Sequence, residues 1–434
     1  VTELDSAPVD EDSPSAPARS APQDSDAGPA PLRDVGVLRR WLAIVALALG
    51  GFGIGVTEFV TMGLLPNIAQ DLLPGTYAVD PASANASAGY LVSAYALGVV
   101  VGAPTIAAAA ARWPRKRLLV LLVSVFVAGN LLSAILPSFG LVLAARFLSG
   151  LPHGAYFGIA SLVAASLMGP GKRARGVAFV LGGLAIANVV GVPAGTFLGQ
   201  EFGWRSAYFL VTVIFALTLV AIVAAVPFQP GDPSATLRNE LSAFTRLQVW
   251  LTLILASIGF GGIFAVYTYI APVVTDVAGL SSGVVPWVLV VFGVGMTAGN
   301  FTSGWLADRS VSRTLLISLS ALGVSVLGFA VFANTTPGLL IFVFLIGACA
   351  GACSPAIQTR LMDVSHNAQS IAAALNHSSL NIGNSVGAFL GGLAIAAGFG
   401  YLSPAVVGVG LAAVGFCVLL LSLGIDRRRA RPAR

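Results

Sequence analysis

The chain has 434 residues, 56% of them hydrophobic and only 9% charged, with a formal net charge of +5 and three cysteines. Soluble domains carry about 25% charged residues, so this composition excludes a water-soluble fold and implies a polytopic membrane protein. The basic residues sit at the ends of apolar runs rather than in one patch, which speaks against a nucleic-acid partner.

Residues 1–36 are mostly Pro, Ala, Ser and acids, a composition that cannot offset the entropy of ordering, and a disordered cytoplasmic tail is expected there. No short apolar core follows a basic start, so the segment does not read as a signal peptide. Twelve apolar runs follow, at 41–65, 87–111, 117–137, 140–167, 174–199, 206–227, 248–271, 284–306, 314–333, 337–360, 370–397 and 401–424. Each suffices for a helix to cross a bilayer, which takes about 20 residues. Polar breaks such as WPRKR (113–117), GPGKR (169–173) and ADRSVSR (307–313) separate them. Of the 23 Lys and Arg, 21 fall on one side of this pattern, Arg205 alone lies in a loop on the other, and Arg146 lies inside a span. The bias predicts cytoplasmic termini.

The chain repeats itself. A shift of 197 carries Gly98 onto Gly295, Gly102 onto Gly299, Arg112 onto Arg309 and Lys116 onto Arg313, and a shift of 196 carries Asn188 onto Asn384, Gly191 onto Gly387 and Gly195 onto Gly391. The expected architecture is an all-α membrane protein of twelve transmembrane helices in two pseudo-symmetric six-helix halves, 37–227 and 248–425. A cytoplasmic linker (228–247) joins the halves, and a basic tail (426–434) follows. Parallel repeats of this kind are the plan of rocking transporters.

The stretch GGFGIGVTEFVTMGLLP (50–66) holds Glu58, the only Asp or Glu inside any of those runs. An ionised carboxylate in hydrocarbon costs several kcal/mol, about 3 or more, unless it is paired, hydrated or protonated. Glu58 is therefore expected to take and release a coupling proton. Arg146 and His153, seven residues apart on nearly one helix face, are the other candidates for proton coupling. His153 either relays protons, its unperturbed pKa being near neutrality, or is a neutral hydrogen-bonding group between helices. His377 in the eleventh run carries the same two readings, and His366 lies in a loop.

Asn188 and Asn384 occupy matching places in the two halves and bond either a substrate or a neighbouring helix. Gly191, Pro193, Gly195, Gly387 and Gly391 mark close helix packing, with a bend at Pro193. Tyr95, Phe157, Phe264, Tyr267 and Tyr269 are pocket or core aromatics, and an apolar pocket with a few polar groups suits a small amphipathic solute. Cys349 and Cys353 share a face without further ligands, so core packing is expected and no metal. The sequence holds no P-loop, HExxH run, dinucleotide fingerprint or nucleophile–base pair. Neither a cofactor nor an enzyme activity is expected.

Twelve spans in two related halves, together with GWLADRSVSR (304–313), resemble the major facilitator superfamily, whose loop signature after the eighth span is G-x-L-A-D-R-x-x-x-R. Arg146 with Gly150 and Gly154 resembles the fourth-span signature of its drug:proton antiporters. Gly182, Gly191, Pro193 and Gly195 partly resemble the fifth-span signature of exporters, with the proline displaced by one residue. TEFVTMGLLP, YALGVVVGAP, SGLPHGAYFG and GVPAGTFLGQEFGWR resemble arabinose-efflux-permease-like and chloramphenicol-resistance-like exporters. The resemblance covers about residues 38–425. It implies a monomer in the plasma membrane that exchanges protons for a small organic solute by alternating access; uptake, uncoupled facilitation and a transport-inactive receptor or scaffold are the rival readings. It also implies that the first and fourth spans line one cavity, so that Glu58 and Arg146, each roughly 10 Å below the outer surface at about 1.5 Å per residue, share a depth. A permanent ion pair between them is the bland alternative. Asp308, Arg309 and Arg313 are the implied gate latch. The first half keeps only the cations Arg112 and Lys116 of that signature, with Ala111 where Asp308 has its match.

Overall fold

The computed structural model describes Thr2 and residues 36–110, 112–169, 172–231, 245–365 and 369–429. The expected N-terminal tail, most of the expected linker, and His366 lie outside these. Among the described residues, 12 helices are long and apolar enough to cross a membrane. They are Val37–Gly63, Pro81–Ile106, Arg115–Ile135, Phe139–Met168, Arg175–Phe202, Trp204–Ala225, Leu247–Tyr267, Ser282–Ala307, Arg309–Phe332, Thr336–Ser365, Leu375–Phe399 and Ser403–Asp426. Each overlaps one apolar run of the sequence. The tenth and twelfth run farther than expected, because Arg360 bonds Asp426, Gln248 and Ser422 and so keeps the helix ends polar but partnered.

Each half has a core of its own. One core is drawn from residues between Ala43 and Val226, the other mainly from residues between Leu255 and Leu419. Their internal contacts repeat with the sequence. A Cβ on Gly98 would lie 2.2 Å from the Phe147 carbonyl oxygen, and one on Gly295 would lie 2.3 Å from that of Phe344. Gly102 meets Leu151 and Gly299 meets Ala348 in the same way, while Gly150 meets Tyr95 and Gly347 meets Phe292. Every partner is displaced by the same 197 residues as its glycine. The second and fourth spans thus touch backbone to backbone as the eighth and tenth do, the close approach that small residues allow in lipid. Gly102→Leu puts a side chain against backbone that cannot swing away. It should cost at least the upper end of about 1–3 kcal/mol and deplete the monodisperse peak in size-exclusion chromatography. Gly158→Ala, where nothing lies within 4 Å, should leave that peak intact.

Between the first and second spans the chain does not form a plain loop. Pro66 and Pro74 open two short helices there, Leu65–Leu72 and Pro74–Val79, and Pro81 opens Pro81–Ala88, the first piece of the second span, all at first-turn positions where a missing N–H costs nothing. Asp80 caps the last of them by accepting from the backbone N–H groups of Ala82 and Ser83. This cover lies at the end remote from the basic loops. Leu65, Ala69, Ala84, Ala86 and Ala88 pack there on Tyr269 and Ile395 of the second half, and Asn85 Nδ2 donates to the Tyr401 hydroxyl at 2.8 Å. Tyr269, for which the sequence leaves a pocket and a core place open, is a buried strut whose hydroxyl donates to the Ala388 carbonyl at 2.7 Å.

The cover is pinned to the sixth span by Asp71, which accepts from Arg205 and from Trp204 Nε1. Partial burial pushes its carboxyl up, but the two hydrogen bonds and the Arg205 charge outweigh that and hold it below the usual carboxylate range. A depressed carboxylate contributes stability above its unfolded pKa and loses it as pH falls through the folded value. The pin should therefore hold through neutral pH and fail only in strong acid. Both side chains are at least a third exposed, so Asp71→Asn should lower stability by no more than about 1 kcal/mol, as read by thermal melting at neutral pH.

Candidate functional site

The fourth span is two helices, Phe139–Gly150 and His153–Met168. Pro152 lacks the N–H that would continue the first into the second, so the ladder breaks there and His153 opens the new helix. Arg146 lies on the first piece, fully buried. Its Nη1 donates to Thr57 Oγ1 at 2.9 Å and its Nη2 to the Thr57 carbonyl at 2.8 Å. The guanidinium sits 4.5 Å from the centre of the Tyr95 ring and 5.3 Å from that of Tyr208. Thr57 Oγ1 in turn donates to Asn130 Oδ1. Arg146 therefore grips the first span one residue before Glu58.

That single residue decides Glu58's direction. Successive helical side chains diverge by about 100°, so a first span held by Thr57 turns Glu58 away from Arg146 and toward the eleventh span. Among the described residues the two form no ion pair within 4.0 Å. Asn384 Nδ2, from the other half, donates to Glu58 Oε1 at 3.4 Å, and His153 Nδ1 lies 4.0 Å from Oε2. The same Nδ1 lies 3.0 Å from the Tyr95 hydroxyl. Glu58 is 6% exposed and His153 is 3% exposed.

One turn beyond, the fourth and eleventh spans meet through rings. His153 and His377 have centroids 5.8 Å apart, and Phe157 lies parallel to His377 at 5.3 Å. On the next face of the first span, Phe59 stacks on Phe264 at 6.3 Å and meets Tyr267 edge-on, and Tyr267 stacks on Phe292. Phe264 and Tyr267 are thus packed around Phe59, and the buried Tyr267 hydroxyl has no partner.

The structure brings together Glu58, Arg146, His153, Tyr95, Phe157, His377 and Asn384. It leaves Asn188 apart. That side chain donates to the Leu184 carbonyl of its own helix, and its backbone lies against Gly293 of the eighth span. Residues Ala187–Gly191 form a wide π turn that ends two residues before Pro193, so the fifth span absorbs an extra residue next to the place where a bend was expected. Gly191 and Gly195 face Phe52, Val56 and Val60 of the first span, and Gly387 and Gly391 face the seventh span at Gly261 and Ala265. At the basic end, Arg309 stacks on Trp305 at 3.5 Å, Arg313 N–H donates to Ser310 Oγ, and Arg112 is exposed. Lys116 Nζ donates to the Val223 carbonyl, which caps the sixth span within its own half. The Asp308 side chain lies outside the described residues.

Two groups escaped the sequence reading. Thr57 and Asn130 look like ordinary small polar residues in apolar runs. The eleventh span, however, carries a legible signal in LNHSSLNIGNS (375–385), where His377, Asn381 and Asn384 fall on one helix face. Asn381 donates to the His377 carbonyl, and the Oδ1 atoms of Asn376, Asn381 and Asn384 are buried without a partner. At the far end a separate cavity of about 260 Å³ lies between the halves, lined by Asn67, Gln70, Gln200 and Asp276, with Gln200 Nε2 donating to the Ser282 carbonyl across it. No group of three or more His, Cys, Asp or Glu that could hold a metal occurs among the described residues.

Residues 47–285 and 272–434 both match the Major Facilitator Superfamily. This chain belongs to that superfamily. It is 38% identical over 379 residues to the inner membrane transport protein YdhP of Escherichia coli K12, covering 87% of this chain and 95% of that one. It is 32% identical over 369 residues to a chloramphenicol resistance protein of Streptomyces lividans, covering 84% of this chain and 91% of the other. The crystal structure of a D-xylose-proton symporter superposes with a TM-score of 0.69 at 16% identity, covering 86% of this chain and 97% of that one. At that identity the likeness concerns the fold alone. The chain is a multi-pass membrane protein with the general secondary-transport function of its superfamily.

Proposed function

We propose that this protein exports a small organic solute in exchange for protons, by alternating access, with both termini in the cytoplasm. The reading rests on one observation. The carboxylate of Glu58 is buried where the two halves meet, bonded by Asn384 from the second half and beside His153 from the first. A proton on Glu58 changes the charge at the seam about which the halves rock, which is the coupling that an antiporter requires. Arg146 holds the first span in the register that aims Glu58 there. The partnerless acceptors of Asn381 and Asn384 suit a solute that brings hydrogen-bond donors. Export is favoured by the 32% identity to a chloramphenicol resistance protein. Asp308, Arg309 and Arg313 are assigned to the cytoplasmic latch on the strength of their loop signature.

Inverted membrane vesicles from an overexpressing strain test the reading. Addition of transported compounds from a broad panel should discharge an imposed pH gradient, and a deletion strain should be sensitised to the same compounds. Compounds that equilibrate across the membrane without moving protons would leave a facilitator.

A further inference from the structure

Among the described residues, the rings that join the fourth and eleventh spans lie next to an open space on their basic side. Gly154 packs on Ala103 of the second span, where an added Cβ would lie 2.4 Å from the Ala103 Cβ, and the same Cβ would lie 3.7 Å from the His377 Cβ of the eleventh span. Gly158 stands one turn nearer the basic end on the same face of the same helix. It is exposed, and a Cβ there would meet nothing within 4 Å. Among the described residues a space therefore lies beside Gly158, just beyond His153, Phe157 and His377. His377 is itself partly exposed, whereas Glu58 and His153 behind it are buried. At the other end the cover of short helices closes over the seventh and eleventh spans.

A proton that moves between Glu58 and the basic end along the fourth and eleventh spans passes these rings. The groups in its way form a sequence of titratable side chains. Glu58 Oε2 lies 4.0 Å from His153 Nδ1, and the His153 and His377 rings are 5.8 Å apart. Tyr95, from the second span, lies 3.0 Å from His153 Nδ1, and Arg146 covers the Tyr95 ring at 4.5 Å. From the fourth span Phe157 lies flat on His377 and fixes its plane.

We propose that His377 carries protons between the Glu58–His153 pair and the basic face, so that it is a proton-path residue contributed by the second half; this rests on the proton-coupled reading given above. On release, the carboxylic proton of Glu58 passes to His153 Nδ1. The Tyr95 hydroxyl, which donated to that nitrogen, now accepts from it. His153 loses the proton on Nε2 to His377, and His377 loses one to water in the opening. One proton has left the site, Glu58 is a carboxylate, and both imidazoles are neutral again in the opposite tautomers, which proton transfer in the reverse direction resets. Uptake from the basic face runs the same steps in reverse.

The full-length protein in liposomes is given a pH jump while the carboxylic C=O stretch of Glu58, assigned by its loss in Glu58→Gln, is followed by infrared spectroscopy. In His377→Ala and His377→Gln the band should persist with an unchanged titration midpoint, but proton loss should slow by at least about tenfold. Imidazole in the buffer should restore the rate in His377→Ala, which leaves a space of its shape, and not in His377→Gln. Rescue of that kind is not expected of a residue that only packs. An unchanged rate in either variant, or slowing that imidazole does not relieve in His377→Ala, overturns the proposal while leaving Glu58 as the proton site. A Glu58 band that never titrates in the wild type removes the proton-coupled reading itself, and this proposal with it.

Discussion

The Glu58→Gln protein should exchange solute across a membrane and yet fail to build a gradient of it. Glutamine has the size of the protonated acid and can still meet Asn384, which lies 3.4 Å from Glu58 Oε1. The seam between the halves is then permanently in its neutral state. Solute counterflow without a pH difference should continue, because rocking no longer waits on a proton. Proton-driven accumulation should vanish. For a one-for-one exchange, one pH unit is worth about 1.4 kcal/mol, so wild-type vesicles should approach about tenfold accumulation under that gradient and Glu58→Gln vesicles should show none. The counterflow control separates loss of coupling from loss of folding. Accumulation that survives in Glu58→Gln would shift the proton to another group, such as His153 at 4.0 Å.

The twelve spans were legible because hydrocarbon sets a length, and no apolar run of this chain falls short of it. The two-fold repeat was legible for a different reason. Glycines that touch backbone, such as Gly102 and Gly299, are constrained by contact rather than by apolarity, so their spacing keeps the register of the halves. What lies between spans was less visible. The segment 64–88 carries its signal in three prolines, but its packing on Tyr269 and Ile395 is a contact across more than 180 residues that no local pattern encodes. At the site, scarcity singled out Glu58, and counting residues from the span ends put Arg146 at a similar depth. Counting gives depth and not direction around the helix. Arg146 therefore found Thr57, one residue away, and Glu58 was left to Asn384. The repeat paired Asn188 with Asn384 but could not show that only the second meets a carboxylate, since the carboxylate itself has no counterpart in the second half.

Arg146→Lys should be nearly as damaging as removal of the side chain, although it preserves the charge. The guanidinium uses two nitrogens at once, on the hydroxyl and the carbonyl of Thr57, at 2.9 and 2.8 Å. It also lies over the rings of Tyr95 and Tyr208. An ammonium is a compact, strongly hydrated charge that cannot fork or stack in this way. Hydrogen bonds from a charged donor contribute about 1.5–3 kcal/mol each. The loss of one of them, with a poorly solvated cation left in a fully buried place, should lower stability by about 3 kcal/mol and abolish proton-driven transport. Thr57→Val removes the hydroxyl that both Arg146 and Asn130 use, and it should have a smaller effect of the same kind. If the fork is what fixes the first span, the two changes are not additive. In a double-mutant cycle followed by thermal melting, Arg146→Lys with Thr57→Val should cost less than the separate effects combined, by about 1–3 kcal/mol. Additive losses would mean that Arg146 acts on Glu58 only through its charge, and that the direction of the Glu58 side chain is set by the packing of Phe59 on the following face.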